Sequence, residues 1–368
     1  MNAREHAVLD PTAVEQRVAR TIRGDVRALS AYAVAKADGL IKLDAMENPY
    51  GLPASVRARI GAAAANVALN RYPDGSADGV KQALRRALDL PDELGVTLGN
   101  GSDEILQILT AAVADGDACI VAPEPSFVMY RLDAQFARVR YVGVPLREDF
   151  SLDETAMLAA IQREKPRLVW IAFPNNPTGN LFDAAALMRL IAAAPGLVAV
   201  DEAYYAFATD SFLPRVLDFP NLVVVRTLSK IGMAGLRLGY VVAHPAWTGQ
   251  FEKLRPPYNV NSLTQAIAPI LLSEPEALQA QANAILAERA RLSSALGTFR
   301  RVTVFPTQTN FVLIRVPDAG AWFAGLRDAG ILVKNLHGWH PLLANCLRIT
   351  VGTREENDAL LQALERYA

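Results

Sequence analysis

Several features that would assign a sequence to a known class of protein are scarce in this chain. Only 2 of its 368 residues are cysteine, Cys119 and Cys346, so a disulfide-stabilised scaffold is not expected. Both lie in apolar runs, which predicts buried, reduced thiols in a cytoplasmic protein. Neither sign of charge dominates, because 37 basic residues face 38 acidic ones and the net charge is −1. This balance gives no electrostatic reason to expect a nucleic acid or a membrane surface as a partner.

Long apolar runs are missing too. Charged residues such as Asp115, Asp117 and Arg189 interrupt the apolar segments before the roughly 20 residues that a membrane-spanning helix needs. Residues 1–10 carry charges and no apolar core, so no signal peptide is expected there. What the chain does have is length and apolar content, 368 residues of which 51% are hydrophobic, which is enough for two domains with real cores.

The order of patterns along the chain predicts an α/β protein with an N-terminal arm and two domains. Residues 1–40 form a polar, alanine-rich arm with a helical pattern over about 12–20. Strand and helix patterns alternate over residues 41–255, which predicts a large domain on a doubly wound, mostly parallel sheet. A Pro-Pro pair then indicates a hinge, and residues 256–368 predict a smaller α+β C-terminal domain that starts with long helices.

Three apolar strands of the predicted large domain are each followed by polar residues. The strands cover residues 168–173, 197–200 and 222–225, and their continuous apolar character is typical of buried parallel strands. In an open α/β sheet the carboxyl ends of parallel strands share one edge, and ligands bind at that edge. Five polar side chains would meet there: Asn176, Asp201, Tyr204, Ser229 and Lys230.

This set of side chains matches the polar groups of pyridoxal phosphate. The amine of Lys230 can form a Schiff base with the aldehyde of that cofactor. Asp201 supplies a carboxylate that keeps the ring nitrogen protonated, and Asn176 and Tyr204 supply hydrogen-bond donors for the phenolic oxygen. A lysine in a loop is by itself more often a solvated charge. A catalytic role is favoured for Lys230, and with it for Asp201 and Tyr204, because three strand ends meet at one edge of the predicted sheet.

On these residues the sequence resembles the fold-type I pyridoxal phosphate aminotransferases, and among them the histidinol-phosphate aminotransferases, from about residue 40 to the C-terminus. Residues 46–51 are similar to the N-E-N-P-Y-G segment of that family, with Met46 in place of the usual asparagine. The resemblance implies that Tyr50 contacts the substrate, whereas the local sequence also allows a turn aromatic. The Arg-Tyr-Pro segment at residues 71–73 is either a plain turn or, by the resemblance, the site from which Tyr72 reaches the cofactor phosphate of the neighbouring subunit.

A glycine-rich loop at residues 99–104, with the sequence G-N-G-S-D-E, opens a helix with an apolar face. A helix N-terminus offers free N–H groups to a phosphate, and the third glycine of a dinucleotide fingerprint is missing here. The loop is similar to the phosphate-binding loop of the family, which implies cofactor contacts by Gly101, Ser102 and Asp103. A capped helix start is compatible with that role.

Two further cofactor contacts are implied by the resemblance. Arg237 corresponds to the arginine that holds the cofactor phosphate, aided by Ser229 and Thr227, and charged contacts of this kind contribute about 1.5–3 kcal/mol each. Phe127 corresponds to the aromatic residue that stacks on the pyridine ring, where many relatives have tyrosine. On pattern alone, Phe127 could equally be a core residue.

The predicted substrate contacts lie near the C-terminus. Arg348 stands in an apolar strand, so it needs an anionic partner, which could be a structural carboxylate or a ligand. The resemblance favours a ligand, namely an α-carboxylate or the phosphate of histidinol phosphate, with Lys334 as the second cation where many relatives have arginine. His337 and His340 could suggest a metal pair, but no cysteine or carboxylate completes it, so loop polarity is the better interpretation and no metal is predicted.

The resemblance implies a function: transamination of L-histidinol phosphate with 2-oxoglutarate to imidazole acetol phosphate and glutamate, in histidine biosynthesis, by a homodimer with shared active sites. An aromatic-amino-acid aminotransferase or a phospho-amino-acid decarboxylase of the same fold would share the cofactor residues. A regulator that binds the cofactor without turnover is a third possibility, but the chain offers no basic DNA-reading segment.

Overall fold

The computed structural model describes residues 10–31 and 35–367 of the chain. The chain divides into two units, residues 1–38 and residues 39–368. In the first unit, helix α1 covers Pro11–Thr21 and the short helix α2 covers Gly24–Arg27. The carboxylate of Asp10 caps α1 by accepting a hydrogen bond from the backbone N–H of Thr12. The helix predicted over about 12–20 is therefore confirmed, whereas the expectation about residues 1–10 falls almost wholly outside the described residues.

The second unit contains thirteen strands and eleven α-helices within the described residues. The strands are β1 Ile41–Lys42, β2 Gly95–Asn100, β3 Cys119–Glu124, β4 Arg140–Pro145, β5 Leu168–Ala172, β6 Leu197–Asp201, β7 Leu222–Thr227, β8 Leu238–Ala243, β9 Thr303–Val304, β10 Phe311–Arg315, β11 Ile331–Leu332, β12 Lys334–Asn335 and β13 Cys346–Thr350. The helices are α3 Ala54–Ala65, α4 Asp78–Ala87, α5 Ser102–Val113, α6 Met129–Phe136, α7 Glu154–Glu164, α8 Ala184–Ala193, α9 Pro245–Phe251, α10 Ser262–Leu272, α11 Pro275–Leu296, α12 Ala319–Asp328 and α13 Arg354–Leu364.

Seven of the strands form one sheet in the order β2-β8-β7-β6-β5-β3-β4. The pairs from β7 to β4 are parallel, and β8 runs antiparallel to both of its neighbours. Along β5, Val169 and Ile171 belong to one apolar cluster and Trp170 to another, so both faces of the sheet are covered. The predicted α/β class with a doubly wound, mostly parallel sheet is confirmed.

A second sheet, in the order β12-β13-β10-β9, is antiparallel and packs with α11, α12 and α13 around a separate apolar cluster. The predicted α+β character of the C-terminal region is therefore present. The early strand β1 pairs with β11, so residues 41–42 are hydrogen-bonded to this region. The domain boundaries after residues 40 and 255 stay a prediction.

Two smaller expectations concern cysteines and membrane spans. Cys119 and Cys346 are both free and buried, as the apolar runs predicted. Over the described part of the chain, no helix combines the length and the apolar character that crossing a membrane requires.

Candidate active site

A cleft lies at the carboxyl ends of β5, β6 and β7, the edge that the strand pattern predicted. The cleft brings together ten of the predicted site residues, which come from six separate stretches of the chain: Ser102, Asp103, Phe127, Asn176, Asp201, Tyr204, Thr227, Ser229, Lys230 and Arg237. Residues 45–47, which precede the whole seven-stranded sheet in sequence, also contribute to its wall.

Lys230 lies in a single 3₁₀ turn, Ser229–Ile231, directly after the buried strand β7. Its Nζ donates a hydrogen bond to the backbone carbonyl of Ala45 over 3.2 Å. Burial in the cleft and, to a smaller extent, the positive charge of Arg348 lower the pKa of Lys230 to about 8. A substantial fraction of this amine is therefore neutral and nucleophilic near pH 8.

Asp201 ends β6, next to β7 in the sheet, and its carboxylate is held by two hydrogen bonds. The hydroxyl of Tyr130 donates to Oδ2 over 2.7 Å, and the backbone N–H of Ala203 donates to Oδ1 over 3.0 Å. Burial raises the pKa of Asp201 to about 6, and both hydrogen bonds oppose that rise. The site thus offers a buried carboxylate whose charge a cationic partner would stabilise.

Tyr130 is absent from the residues predicted from the sequence. It lies on α6, its ring stacks on Trp170 with a centroid distance of 4.9 Å, and Phe127 meets it edge-on at 5.7 Å. No local pattern in the sequence marks Tyr130 as a site residue, because its partner Asp201 lies 71 residues further along the chain.

A phosphate cradle, formed by Gly101, Ser102, Asp103 and Arg237, lies where β2 turns into α5. Gly101 has a φ of +84°, and a Cβ built on it would lie 2.6 Å from Nη2 of Arg237. Arg237 in turn lies 3.5 Å from a carboxylate oxygen of Asp103, with both side chains about half exposed. A helix N-terminus, a guanidinium and the space that a missing Cβ leaves fit a phosphate group.

The hydroxyls of Thr227 and Ser229 complete this side of the cleft. The Thr227 hydroxyl donates to the Ser229 oxygen over 2.9 Å, and the Thr227 oxygen accepts from the backbone N–H of Ser229. Both side chains are buried and line the cleft beside Lys230. The donor set therefore fits pyridoxal phosphate at the amine, the ring nitrogen and the phosphate.

Arg348 lies beside the cleft on β13, and its guanidinium donates to two neutral oxygens. Nη1 bonds to Oδ1 of Asn176 over 2.6 Å, and Nη2 bonds to the backbone carbonyl of Asp44 over 3.1 Å. Lys334 on β12 is the cross-strand neighbour of Arg348, and its Nζ lies 4.9 Å from the ring centroid of Trp339. Burial, followed by the charge of Arg348, lowers the pKa of Lys334. Two cations therefore lie side by side.

Besides Gly101, Lys334 and Arg348, which lie beside the cleft, the predicted residues Tyr50 and Tyr72 do not line it either. Tyr72 is 81% exposed, and its ring stacks on Tyr258 at 4.5 Å. Tyr50 is partly buried against the C-terminal apolar cluster, and burial raises its pKa. The imidazoles of His337 and His340 each accept a hydrogen bond from a backbone N–H, that of Asn345 and that of Leu342 respectively.

Met46 adopts a backbone conformation that its side chain disfavours. Its φ is +53°, in the left-handed region, which costs a residue with a Cβ on the order of 1–2 kcal/mol. The family motif has asparagine here, one of the residues that tolerate this region best. The strain therefore lies in a segment that forms part of the wall of the cleft.

A doubly wound sheet with a lysine after one strand, an aspartate at the end of its neighbour and a phosphate cradle defines the class of fold-type I pyridoxal phosphate enzymes. A sequence profile for aminotransferases of class I and II matches residues 38–364, and the chain belongs to this family.

Within that family the chain is similar to histidinol-phosphate aminotransferases. It is 52% identical to the one from Chromobacterium violaceum, over 95% of this chain and 98% of the relative. It is 50% identical to histidinol-phosphate aminotransferase 1 of Ralstonia nicotianae, over 99% of this chain and 98% of the relative. The crystal structure of the Sinorhizobium meliloti enzyme in complex with pyridoxal-5'-phosphate has a TM-score of 0.83 and 26% identity, covering 95% of this chain and 98% of that chain. The predicted resemblance is confirmed.

Proposed function

We propose that this aminotransferase converts L-histidinol phosphate and 2-oxoglutarate into imidazole acetol phosphate and L-glutamate, in histidine biosynthesis. The observation that carries the proposal is the meeting of Lys230, Asp201 and the phosphate cradle in one cleft. The 52% identity to a protein named for this reaction supports the choice of substrate.

Pyridoxal phosphate is the cofactor, and when bound it accepts the electron pair that the substrate carbon releases on losing its proton. Arg237, the N-terminus of α5 and the hydroxyls of Ser229 and Thr227 hold its phosphate. Asp201 holds the proton on the ring nitrogen, and Tyr204 and Nδ2 of Asn176 donate to the phenolic oxygen. Because Oδ1 of Asn176 accepts from Arg348, the amide is oriented with its donor end available to the ring.

Lys230 carries out the proton transfer. Its Nζ would hold the cofactor at the aldehyde carbon and, once free, would take up the proton that the substrate carbon releases and later give it up again. A pKa near 8 suits both halves of that task, since the amine can accept a proton and lose it again near neutral pH.

Arg348 and Lys334 form the anion-binding side of the substrate site. The same pair can bind the phosphate of histidinol phosphate in one half-reaction and a carboxylate of glutamate in the other. Tyr50, near the entrance, contacts the substrate. Lysine is a point charge without the planar fork of arginine, so Lys334 binds a phosphate with less geometric selectivity than an arginine would.

The active enzyme is a homodimer in the cytoplasm. The exposed ring of Tyr72 lies on the surface of its own chain, where it can reach the cofactor phosphate of a second copy. A reducing compartment suits the free thiols of Cys119 and Cys346. We assign residues 1–40 to an arm, 41–255 to the cofactor-binding domain and 256–368 to a smaller domain that bears the substrate cations.

The test is a substrate panel with the purified protein and its Lys230→Ala variant. Histidinol phosphate should be the best amino donor, ahead of phenylalanine, tyrosine and phosphothreonine, and Lys230→Ala should remain folded but lose turnover. Faster reaction with an aromatic amino acid, or release of CO₂ from phosphothreonine, would replace the proposal by the corresponding alternative. Full activity of Lys230→Ala would refute the assignment of the lysine.

A further inference from the structure

Residues 44–46 present three successive backbone carbonyls to three side chains from distant parts of the chain. The carbonyl of Asp44 accepts from Arg348, and that of Ala45 accepts from Lys230 over 3.2 Å. The carbonyl of Met46 accepts from Nδ2 of Asn310 over 2.9 Å. This segment, here called the carbonyl segment, therefore touches both the lysine of the proposed chemistry and the arginine of the proposed substrate site.

The left-handed conformation of Met46 is enforced by its surroundings on both sides. Its N–H donates to the hydroxyl of Thr350 on β13 over 2.9 Å, and Asn310, just before β10, binds its carbonyl. Its side chain is 8% exposed and packs in the C-terminal apolar cluster. A strained conformation that is fixed by two buried hydrogen bonds indicates a geometric requirement at this position.

We infer that the left-handed backbone at Met46 positions Lys230 for proton transfer, because it aims the carbonyl of Ala45 at Nζ. The inference rests on the proposed function, in which the neutral Nζ takes up a proton from the substrate carbon and becomes an ammonium group. The Ala45 carbonyl accepts a hydrogen bond from the ammonium and fixes its direction. Met46 is thus a positioning residue that acts through its backbone.

This role makes a specific demand on residue 46. Since the acceptor is the backbone carbonyl of Ala45, a substitution at residue 46 changes the direction of that carbonyl only through the φ angle that the new side chain permits. Glycine and asparagine tolerate positive φ, whereas a β-branched residue does not. The asparagine of the family motif and the Met46 of this chain would then hold the same carbonyl geometry with different side chains.

The test compares Met46→Ile with Met46→Gly and Met46→Asn in the full-length protein. The pKa of Lys230 is measured in the cofactor-free protein by competitive labelling with acetic anhydride across pH, with peptide mass spectrometry, and kcat is measured in the holoenzyme. Arg348, Glu47, Asp103 and Arg237 also influence this pKa and are unchanged in all variants. Lys165→Ile is the matched control, because exposed Lys165 also has a positive φ, +45°, but lies at the opposite edge of the sheet.

Met46→Ile should lower the pKa of Lys230 below the wild-type value, because the ammonium loses an acceptor, and should reduce kcat about tenfold or more. Met46→Gly and Met46→Asn should keep the pKa near that of the wild type and recover most of kcat. Lys165→Ile should lower the melting temperature while leaving both quantities unchanged. A Met46→Ile protein with the wild-type pKa and kcat would overturn the inference, and so would Met46→Gly losing as much as Met46→Ile.

A second variant covers the case in which Met46→Ile does not fold. Thr350→Val removes the acceptor for the Met46 N–H, so it should shift the labelling pKa in the same direction, and Thr350→Ser should restore it. An unchanged pKa in Thr350→Val would overturn the inference. The labelling experiment needs no turnover, so it stands even if the wild-type protein fails to transaminate histidinol phosphate, a result that would refute only the proposed function.

Discussion

At the scale of single residues, the charge state of Asp201 depends on a neighbour that donates one hydrogen bond. Burial alone favours the neutral acid, and the bonds from Tyr130 and from the N–H of Ala203 bring the pKa back to about 6. The ionised carboxylate is the form that pairs with a protonated ring nitrogen. Cofactor binding should therefore weaken as the pH falls through about 6, where Asp201 takes up a proton.

Tyr130→Phe should shift that pH dependence upward. The variant removes a hydrogen bond that lowers the pKa of Asp201, so the carboxylate ionises only at higher pH. The measurement is the dissociation constant of pyridoxal phosphate for the cofactor-free protein between pH 5 and 8. Tyr141→Phe is the control, since Tyr141 lies on β4 and outside the cleft. An identical midpoint in Tyr130→Phe and wild type would contradict this account of Asp201.

At the scale of secondary-structure elements, the turn from β2 to α5 is shaped by the space between Gly101 and Arg237. Gly101→Ala would introduce strain at a φ of +84° and push against the guanidinium. Loss of one charged contact to the phosphate weakens binding by about tenfold or more. Titrations should show this loss for pyridoxal phosphate and much less for pyridoxal, which lacks the phosphate. Gly116→Ala, where a Cβ meets open space, should leave both affinities unaltered.

The strands β6 and β7 are also linked by a buried ion pair. Glu202, directly after Asp201, accepts two hydrogen bonds from Arg226 on β7, and both side chains are almost fully buried. Arg226→Met leaves a buried carboxylate without its cationic partner, so the free energy of unfolding should fall by about 3–5 kcal/mol. Urea denaturation measures the change.

Two controls separate this pair from a surface effect. Replacing both members, as Glu202→Leu with Arg226→Met, should recover part of the lost stability, because no unpaired charge stays buried, whereas the Phe212 N–H and the Ser211 hydroxyl lose their acceptor. Arg163→Met breaks an exposed pair with Glu164 and should cost less than about 1 kcal/mol. Equal losses in Arg226→Met and Arg163→Met would mean that the buried pair has no special role.

At the scale of the whole molecule, the position of Tyr72 determines whether one chain suffices for activity. If Tyr72 completes the site of a second copy, each active site takes Lys230 from one subunit and Tyr72 from the other. Tyr72→Ala and Lys230→Ala then remove contributions that come from different subunits. Mixing the two variants with subunit exchange should restore about a quarter of the sites, because half of the dimers are mixed and each has one intact site. Mixing Asp201→Ala with Lys230→Ala should restore none. No recovery in the first mixture would place Tyr72 within its own subunit's function.

Much of the fold and the site could be predicted because the relevant signals are local. Continuous apolar strands followed by polar residues predicted the sheet edge at which Asn176, Asp201 and Lys230 meet, since parallel strands share one carboxyl edge. Tyr130 was missed because a tyrosine on an apolar helix face gives no sign of a partner 71 residues further on. The contacts of Arg348 could not be predicted either, because its partners, Asn176 and Asp44, are 172 and 304 residues away.

The sequence by itself determined which chemical groups stand at the strand ends and in the glycine-rich loop, because strand periodicity and turn residues act over a few positions. Only the tertiary structure decided the protonation state and the orientation of those groups. The pKa of Asp201 comes from burial and from Tyr130, and the direction of the Ala45 carbonyl comes from a strained Met46 that is held by Thr350 and Asn310. Burial and strain of this kind depend on residues hundreds of positions apart, which meet only when the chain is folded.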